Sequence, residues 1–170
     1  MGSSDKKPKL DQLVDEHLPE MLRFAVRLTG EAESAEELVQ EALVRVARSW
    51  KTFRGESQFR TWLFRIVINV FRDRLAKSRP EQSLLNDPPD NRAACPVSSA
   101  QAEELGRLIA AAVSALPPRQ REVLVLAAFE GLSTPEVAEV LGITQANVHS
   151  TLHAAREKLR QDLAAYLVEK

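Results

Sequence analysis

The sequence predicts an all-α protein made of two small helical domains joined by a flexible linker. Nearly every segment with a clear apolar period repeats at three and four residues, as a helix does. A Pro-rich stretch divides the chain into two parts, and no segment alternates between apolar and polar residues as a strand does. A chain of 170 residues has room for one ordinary domain or two small ones.

The first predicted domain covers residues 10–79 and follows an N-terminal tail, residues 1–9, that we expect to be disordered. We expect three amphipathic helices here. Gly30 is predicted to end the first helix, Ser34 to cap the second, and the stretch 53–57 to precede the third. Their apolar stripes are Leu18, Met21, Leu22, Ala25 and Val26; Leu38, Ala42, Leu43 and Val46; and Trp62, Ile66, Val70 and Phe71.

A linker is predicted at residues 80–100, because prolines stand there among Asp, Asn and Ser with few large apolar residues. The second predicted domain covers residues 101–170. It begins with a helix over 102–115 that ends before Pro117 and Pro118, and a second helix over 120–129 that ends before Gly131. Two shorter helices complete it.

These last two helices have the pattern of a helix-turn-helix. Ser133 and Glu136 form a potential capping box, Gly142 suits the turn, and Thr144 is placed to cap the second helix. We expect Val137, Ala138 and Leu141, then Val148, Leu152, Ala155 and Leu159, to face inward, with Ile143 at the corner. A helical hairpin with ordinary polar exposure is the alternative. The polar surface of the second helix is predicted to carry Gln145, Asn147, His149, Ser150, Thr151, His153 and Arg156.

Charge is segregated along the chain although the net charge is only −1. Residues 10–44 contain nine acidic and two basic residues, whereas residues 45–79 contain ten basic and two acidic residues. An acidic half followed by a basic half suggests one protein partner and one polyanion. Solvated helix faces that happen to segregate would give the same pattern.

Several function classes find no support in the sequence. The single cysteine, Cys95, forms no internal disulfide and no Cys-based zinc site. His149 and His153 are spaced as a chelating pair, but no Glu follows the first His as in a metal hydrolase. We therefore expect no enzyme activity, no metal and no cofactor. With no apolar run long enough to span a membrane and no signal peptide, we expect no membrane insertion and a cytoplasmic protein.

Motifs in both halves resemble the extracytoplasmic-function (ECF) sigma factors of the sigma-70 family. In the first half they are Ala35-Glu36-Glu37-Leu38-Val39-Gln40-Glu41-Ala42, Phe53-Arg54-Gly55-Glu56-Ser57-Gln58-Phe59, Thr61-Trp62-Leu63-Phe64-Arg65-Ile66 and Asn69. In the second half they are Leu116-Pro117-Pro118-Arg119-Gln120-Arg121-Glu122-Val123, Gly131-Leu132-Ser133 and the helix-turn-helix. The order of these motifs, with a Pro-rich spacer between them, is more specific than the helix-turn-helix alone.

The resemblance implies a protein that binds core RNA polymerase, through its β′ and β subunits, and directs promoter recognition and transcription initiation. Residues 10–79 would be sigma region 2 and residues 101–170 sigma region 4, and an anti-sigma factor is an expected further partner. Contact with the polymerase is expected from Glu37, Leu38, Val39, Gln40 and Glu41. Contact with the minus-10 element is expected from Phe53, Arg54, Ser57, Phe59, Arg60, Trp62, Arg65 and Asn69, although packing is at least as good an interpretation for Phe59 and Trp62.

The polar residues of the last helix, from Gln145 to Arg156, are expected to contact the minus-35 element. The family favours Lys or Arg where this chain has His149, Thr151 and Ala154, so we expect weak DNA binding by residues 101–170 alone. The alternative function is a helix-turn-helix regulator that acts without replacing the sigma subunit.

Overall fold

The computed structural model describes residues 9–55, 57–78 and 100–168, and within these ranges it contains helices and connecting turns but no strand. The all-α prediction is confirmed. The predicted linker lies outside the described residues except for Ala100, which begins a helix. Of the predicted N-terminal tail only Lys9 is described; its backbone is extended and directly precedes the first helix.

The first bundle contains three long helices, α1 (Leu10–Thr29), α2 (Ala32–Ser49) and α3 (Phe59–Ser78), with a 3₁₀ turn at Trp50–Thr52 after α2. Gly30 ends α1 as predicted, because its φ of 81° is left-handed and its N–H bonds the Val26 carbonyl at 2.7 Å. The core of the bundle is apolar and includes the adjacent rings of Phe24 and Phe64, whose centroids are 4.5 Å apart.

The predicted cap of α2 is wrong. The helix begins at Ala32 after an extended Glu31, and Ser34 lies within its first turn. The Ser34 hydroxyl donates to the Glu31 carboxylate at 2.8 Å. The connection between α1 and α2 is shorter than the polar residues after Gly30 suggested. Because the helix begins before Ser34, this residue does not occupy the N-cap position.

The C-terminal bundle contains α4 (Ala100–Ser114), α5 (Pro118–Leu124), α6 (Thr134–Leu141) and α7 (Gln145–Val168). The single helix predicted over 120–129 is in fact α5 followed by a π-helical turn at Val125–Phe129. At the end of this turn, the N–H of the next residue, Glu130, donates to the Val125 carbonyl, five residues back, at 3.0 Å. Periodicity did not predict this turn, which directly precedes the buried Glu130.

The helix-turn-helix forms from α6 and α7 with the predicted caps and turn, but the prediction of two shorter helices is wrong for α7, which has 24 residues whereas α6 has 8. Ser133 and Glu136 make the capping box, Gly142 has a φ of 65°, and the Thr144 hydroxyl accepts the Asn147 N–H at 3.2 Å. The predicted inward residues lie in or against the core, and Val140, which was not predicted, is buried with them.

The two bundles pack against each other. Helix α1 contacts α4 and the π-helical turn, and α3 contacts α6. Buried apolar residues of both bundles form one continuous core. The apolar stripes in the sequence do not reveal which helices of separate bundles meet, so this contact was not predicted.

Candidate functional site

Four aromatic side chains form a cluster at the connection between α2 and α3: Trp50, Phe53, Phe59 and Trp62. Trp50 stacks on Phe53 with ring centroids 5.5 Å apart and planes inclined by 16°, and Phe53 lies 4.8 Å from Trp62. Phe59 contacts all three of these rings edge-on or tilted. The cluster is anchored on the core by Phe59 and Trp62, which pack against it. Packing is therefore an established role for these two residues.

An open pocket of about 280 Å³ lies beside this cluster. Five of the eight residues predicted to contact the minus-10 element line it together, and Thr52 is the one further lining residue. The pocket is lined by Thr52, Phe53, Arg54, Ser57, Trp62 and Arg65. Aromatic faces and guanidinium groups around an open cavity are suited to stack on an unpaired base and to neutralise its phosphate.

The remaining predicted minus-10 residues lie outside the pocket. Asn69 is exposed farther along α3, and Phe59 lies in the aromatic cluster. Arg60 lies between the two bundles: its Nε donates to the Glu20 carboxylate of α1 at 2.6 Å, and its Nη2 donates to the Glu130 carbonyl of the C-terminal bundle at 2.7 Å. The structure therefore brings five of the eight predicted minus-10 residues together at the pocket and places the other three outside it.

The polymerase-binding prediction divides into an exposed and a buried part. Glu37 and Gln40 are exposed and Glu41 is half-buried on the outer side of α2. By contrast, Leu38 and Val39 are 0% and 3% exposed. These two residues belong to the core, so we correct their predicted contact role to a packing role: a helix presents only one face to a partner, and their positions lie on the inner face.

Ion pairs connect this acidic face of α2 to the basic helix α3. Arg74 donates to Glu41 at 3.2 Å and to Glu37 at 3.3 Å, and Arg45 bridges Glu41 and Asp73 at 2.9 and 2.8 Å. Burial tends to raise the pKa of Glu41, but hydrogen bonds from Arg74 and Arg45 outweigh it and lower that pKa. Part of the charge segregation seen in the sequence is thus compensated inside the bundle.

The second helix of the helix-turn-helix presents most of its predicted polar face to solvent. Thr151 is half-buried, whereas the other six predicted residues are exposed: Gln145, Asn147, His149, Ser150, His153 and Arg156. Ala154, where the family favours a cation, is also exposed. The exposed side chains offer hydrogen-bond donors and acceptors of the kind that read base edges in a major groove.

One residue of the aromatic cluster, Trp50, and the glutamates at the contact between the two bundles were not predicted from the sequence. Trp50 follows the α2 stripe residue Val46 by four positions, so continued helical spacing was the signal that would have found it. Glu130, Glu122 and Glu139 carried no sequence signal, since their partners Arg27, Arg60, Arg65 and Arg72 belong to the other bundle.

Within residues 9–55, 57–78 and 100–168, no helix is long and apolar enough to cross a membrane. In that same part of the chain, no group of three or more His, Cys, Asp or Glu side chains is arranged to hold a metal ion.

Two family models match the chain: Sigma-70 region 2 over residues 13–81 and Sigma-70, region 4 over residues 106–159. The ECF RNA polymerase sigma factor SigE of Mycolicibacterium smegmatis is 34% identical over 99% of this chain and 66% of its own length. The RNA polymerase sigma-E factor of Streptomyces coelicolor is 33% identical over 85% of this chain and 80% of its own.

Among solved structures, the chain is similar to the sigma factor RpoE from Bartonella quintana, solved in complex with the anti-sigma factor NepR. The TM-score is 0.76 at 25% identity, over 91% of this chain and 96% of that one. The similar sequences and the similar structure are therefore all sigma factors.

Proposed function

The chain belongs to the ECF group of the sigma-70 family and is a sigma factor that directs transcription initiation, and from this premise we propose how its two bundles share promoter recognition. The pocket of the first bundle captures an unpaired base of the minus-10 element, and the exposed face of α7 contacts the minus-35 element. One observation supports this most: the pocket combines aromatic and Arg side chains, which bind single-stranded DNA by stacking and charge.

Core polymerase binds the outer face of α2 through Glu37, Gln40 and Glu41 in this proposal. These side chains are exposed or half-buried, and the buried Leu38 and Val39 hold the helix that presents them. The β′ subunit is the proposed partner for this acidic face, and the β subunit a partner for the C-terminal bundle. Both assignments rest on family membership.

An anti-sigma factor is a further proposed partner, by analogy with the Bartonella relative that was solved with one. A cytoplasmic location follows from a role on chromosomal promoters. The proposal includes no catalytic step by this chain. The alternative is a helix-turn-helix regulator that acts without replacing the sigma subunit. It does not explain why residues 13–81 match Sigma-70 region 2.

Arg54→Ala tests the pocket directly. We expect this variant, mixed with core polymerase and a promoter library, to bind core like the wild type but to initiate about tenfold less, because one stacking and charge contact is lost. Binding to core is measured by gel filtration and initiation by run-off transcription. Arg107→Ala, which removes an exposed Arg from α4, is the matched control.

The opposite pattern is expected for Gln40→Arg on α2, which places a cation on the proposed polymerase surface. It should weaken core binding, with initiation recovering at high core concentration. If Arg54→Ala initiates as well as Arg107→Ala, the pocket does not capture the promoter strand. DNA footprints by the wild type without polymerase would instead favour the regulator.

A further inference from the structure

The outer face of α2 carries a line of exposed residues at alternating steps of three and four positions. This line, the α2 stripe, consists of Glu37, Gln40, Val44, Ala47 and Lys51. Helix α2 ends at Ser49, but Trp50 keeps helical backbone angles (φ −54°, ψ −38°), so the 3₁₀ turn that contains Lys51 continues the direction of the helix. Steps of three and four align side chains along one face, which is the spacing that two helices use to pack along each other.

The centre of the α2 stripe is apolar. Val44 is 49% exposed and is followed along the stripe by the exposed Ala47. Ala47 also lines an open, mainly apolar groove of about 420 Å³ between α1 and α2, together with Leu10, Val14 and Leu43. A single exposed Val needs no explanation, but Val44 and the groove form one apolar area on the outside of the first bundle, and burial against a partner would remove this area from water.

The charges on this face have opposite signs on the two sides of Val44. Glu36 and Glu37 are exposed on the N-terminal side, and Arg48 and Lys51 are exposed on the C-terminal side. Glu37 and Lys51 are each seven residues from Val44, which is roughly 10 Å along a helix. Two α2 helices that lie antiparallel with their Val44 side chains opposed therefore bring Glu37 of each copy opposite Lys51 of the other. A surface that is complementary to itself under a two-fold rotation is what a symmetric dimer requires.

The charged groups at both ends of the α2 stripe remain accessible to a second molecule. Neither Arg48 nor Lys51 forms an ion pair with another described residue, and both are exposed. Glu37 lies 3.3 Å from Arg74, yet its side chain is still 60% exposed. Arg74 also contacts Glu41 at 3.2 Å, so it keeps an acidic partner when Glu37 turns to another cation.

We propose that two copies of this chain associate through antiparallel α2 helices, with Val44 at the two-fold axis and Glu37 of each copy paired with Lys51 of the other. The dimer covers the face that binds core polymerase. This consequence rests on the proposed function, because Glu37 and Gln40 belong to both surfaces. Core polymerase and a second copy of the chain then compete for α2, so association withholds the chain from transcription by mass action.

The size of the interface sets the expected strength of the dimer. One helix face and an adjoining groove bury less than the roughly 1,200 Å² at which stable interfaces begin, and interfaces below that size are weak and transient. We therefore expect a dissociation constant on the order of 10 to 100 µM. A dimer of this strength is reversible, so binding to core polymerase can replace it.

Val44→Asp tests the centre of the interface in the full-length chain. Sedimentation velocity at roughly 1 to 300 µM, which brackets the expected dissociation constant, should show a monomer–dimer equilibrium for the wild type. Val44→Asp should dimerise at least about tenfold more weakly, because two carboxylates then meet at the axis and apolar burial is lost. Leu105→Asp is the matched control, since Leu105 is 50% exposed on α4, away from α2, and should dimerise like the wild type.

Exchanging the charges tests the antiparallel arrangement. Lys51→Glu and Glu37→Lys should each weaken the dimer about tenfold or more, because like charges then face each other twice in a symmetric dimer. The double variant Glu37→Lys, Lys51→Glu restores opposite charges and should dimerise within about threefold of the wild type. Circular dichroism of each variant checks that its helicity matches the wild type. All three substituted positions of α2 and its 3₁₀ turn are exposed.

Competition with core polymerase is measured by adding core to the dimeric wild-type chain. Light scattering coupled to gel filtration should show complexes with one copy of the chain per core, and the dimer should disappear as core reaches saturation.

Each outcome supports or overturns the proposal. A wild type that is monomeric throughout the concentration range overturns it, and so does a Val44→Asp variant that dimerises as well as Leu105→Asp. A double charge variant that does not recover overturns the antiparallel arrangement. A complex with two copies per core overturns the competition. The proposed function is judged separately, by core binding and run-off transcription of Arg54→Ala in assembled holoenzyme, and a monomeric wild type that initiates normally leaves that function intact.

Discussion

At the scale of single residues, Glu130 has the least ordinary environment. Burial raises the pKa of its carboxyl, and the positive charges of Arg27 and Arg60 only partly oppose this, while the negative charge of Glu20 adds to it. These groups come from α1 and α3 and face Glu130 across the contact between bundles. Burial therefore disfavours ionisation of the Glu130 carboxyl, whereas Arg27 and Arg60 stabilise the ionised form.

Glu130 and Glu136 should respond to pH with opposite signs. Because the pKa of Glu130 is raised, its contribution to stability is present at acid pH and is lost as pH rises through that raised pKa. Glu130→Gln removes this loss, so its free energy of unfolding relative to the wild type should increase from acid to neutral pH. Urea unfolding of both proteins at several pH values measures the difference.

Glu136→Gln is the control of opposite sign. Hydrogen bonds from the side chain and backbone of Ser133 lower the pKa of Glu136, so its contribution is present above the ordinary carboxyl pKa and is lost as pH falls. This variant should be destabilised at neutral pH, with the deficit shrinking in acid. Equal pH profiles for the two variants would contradict both assignments.

At the scale of elements, the helix-turn-helix shows how a single backbone conformation fixes the angle between two helices. Gly142 has a φ of 65°, and its N–H bonds the Ala138 carbonyl to end α6. A Cβ at this position would meet no atom within 4 Å. Only backbone strain therefore opposes a larger residue here, and its cost is that of the left-handed region for a residue other than Gly.

Two Gly→Ala substitutions should change stability in opposite directions. Gly142→Ala should destabilise by about 1 to 2 kcal/mol through this backbone strain. Gly106→Ala, within α4 and also without a neighbour within 4 Å of its Cβ, should stabilise by about 0.5 to 1 kcal/mol because helical Ala loses less entropy than Gly. Urea unfolding measures both. A stable Gly142→Ala variant would mean that this turn does not need a positive φ.

At the scale of the whole molecule, the segregated charges form internal pairs as well as external surfaces. Arg45 and Arg74 are paired with acids of the first bundle, and Arg65 and Arg72 with acids of the second. Arg60 is paired with both, through Glu20 of the first bundle and Glu130 of the second. The basic segment thus has less unpaired cationic surface than its composition indicates.

The C-terminal domain by itself should bind DNA poorly. Residues 101–170 have His149, Thr151 and Ala154 where the family favours cations, and each missing cation removes about one counterion from the salt dependence of binding. We expect a dissociation constant well above nanomolar for a promoter duplex at physiological salt, measured by anisotropy, with assembled holoenzyme as the comparison. Nanomolar binding by the isolated domain would contradict this prediction.

The amino-acid sequence by itself determined the local structure and the family. Gly30, Gly142 and the Ser133–Glu136 pair determine where helices begin and end, because caps and left-handed turns depend on residues near in sequence. The same local motifs placed Phe53, Arg54 and Trp62 on one loop and helix. Local reasoning failed where a short connection moved a helix start, at Ser34, and where an apolar run concealed a π-helical turn before Glu130.

Only the tertiary structure decided which charged groups meet. Arg27 and Glu130 are 103 residues apart and Arg65 and Glu139 are 74 apart, and no periodicity links them. Tertiary packing likewise buried Leu38 and Val39 while leaving Glu37 and Gln40 exposed, since the inner face of a helix is defined by what packs on it. Contacts between distant segments depend on how whole helices pack, which is why the packing of the two bundles against each other could not be derived from the pattern of residues.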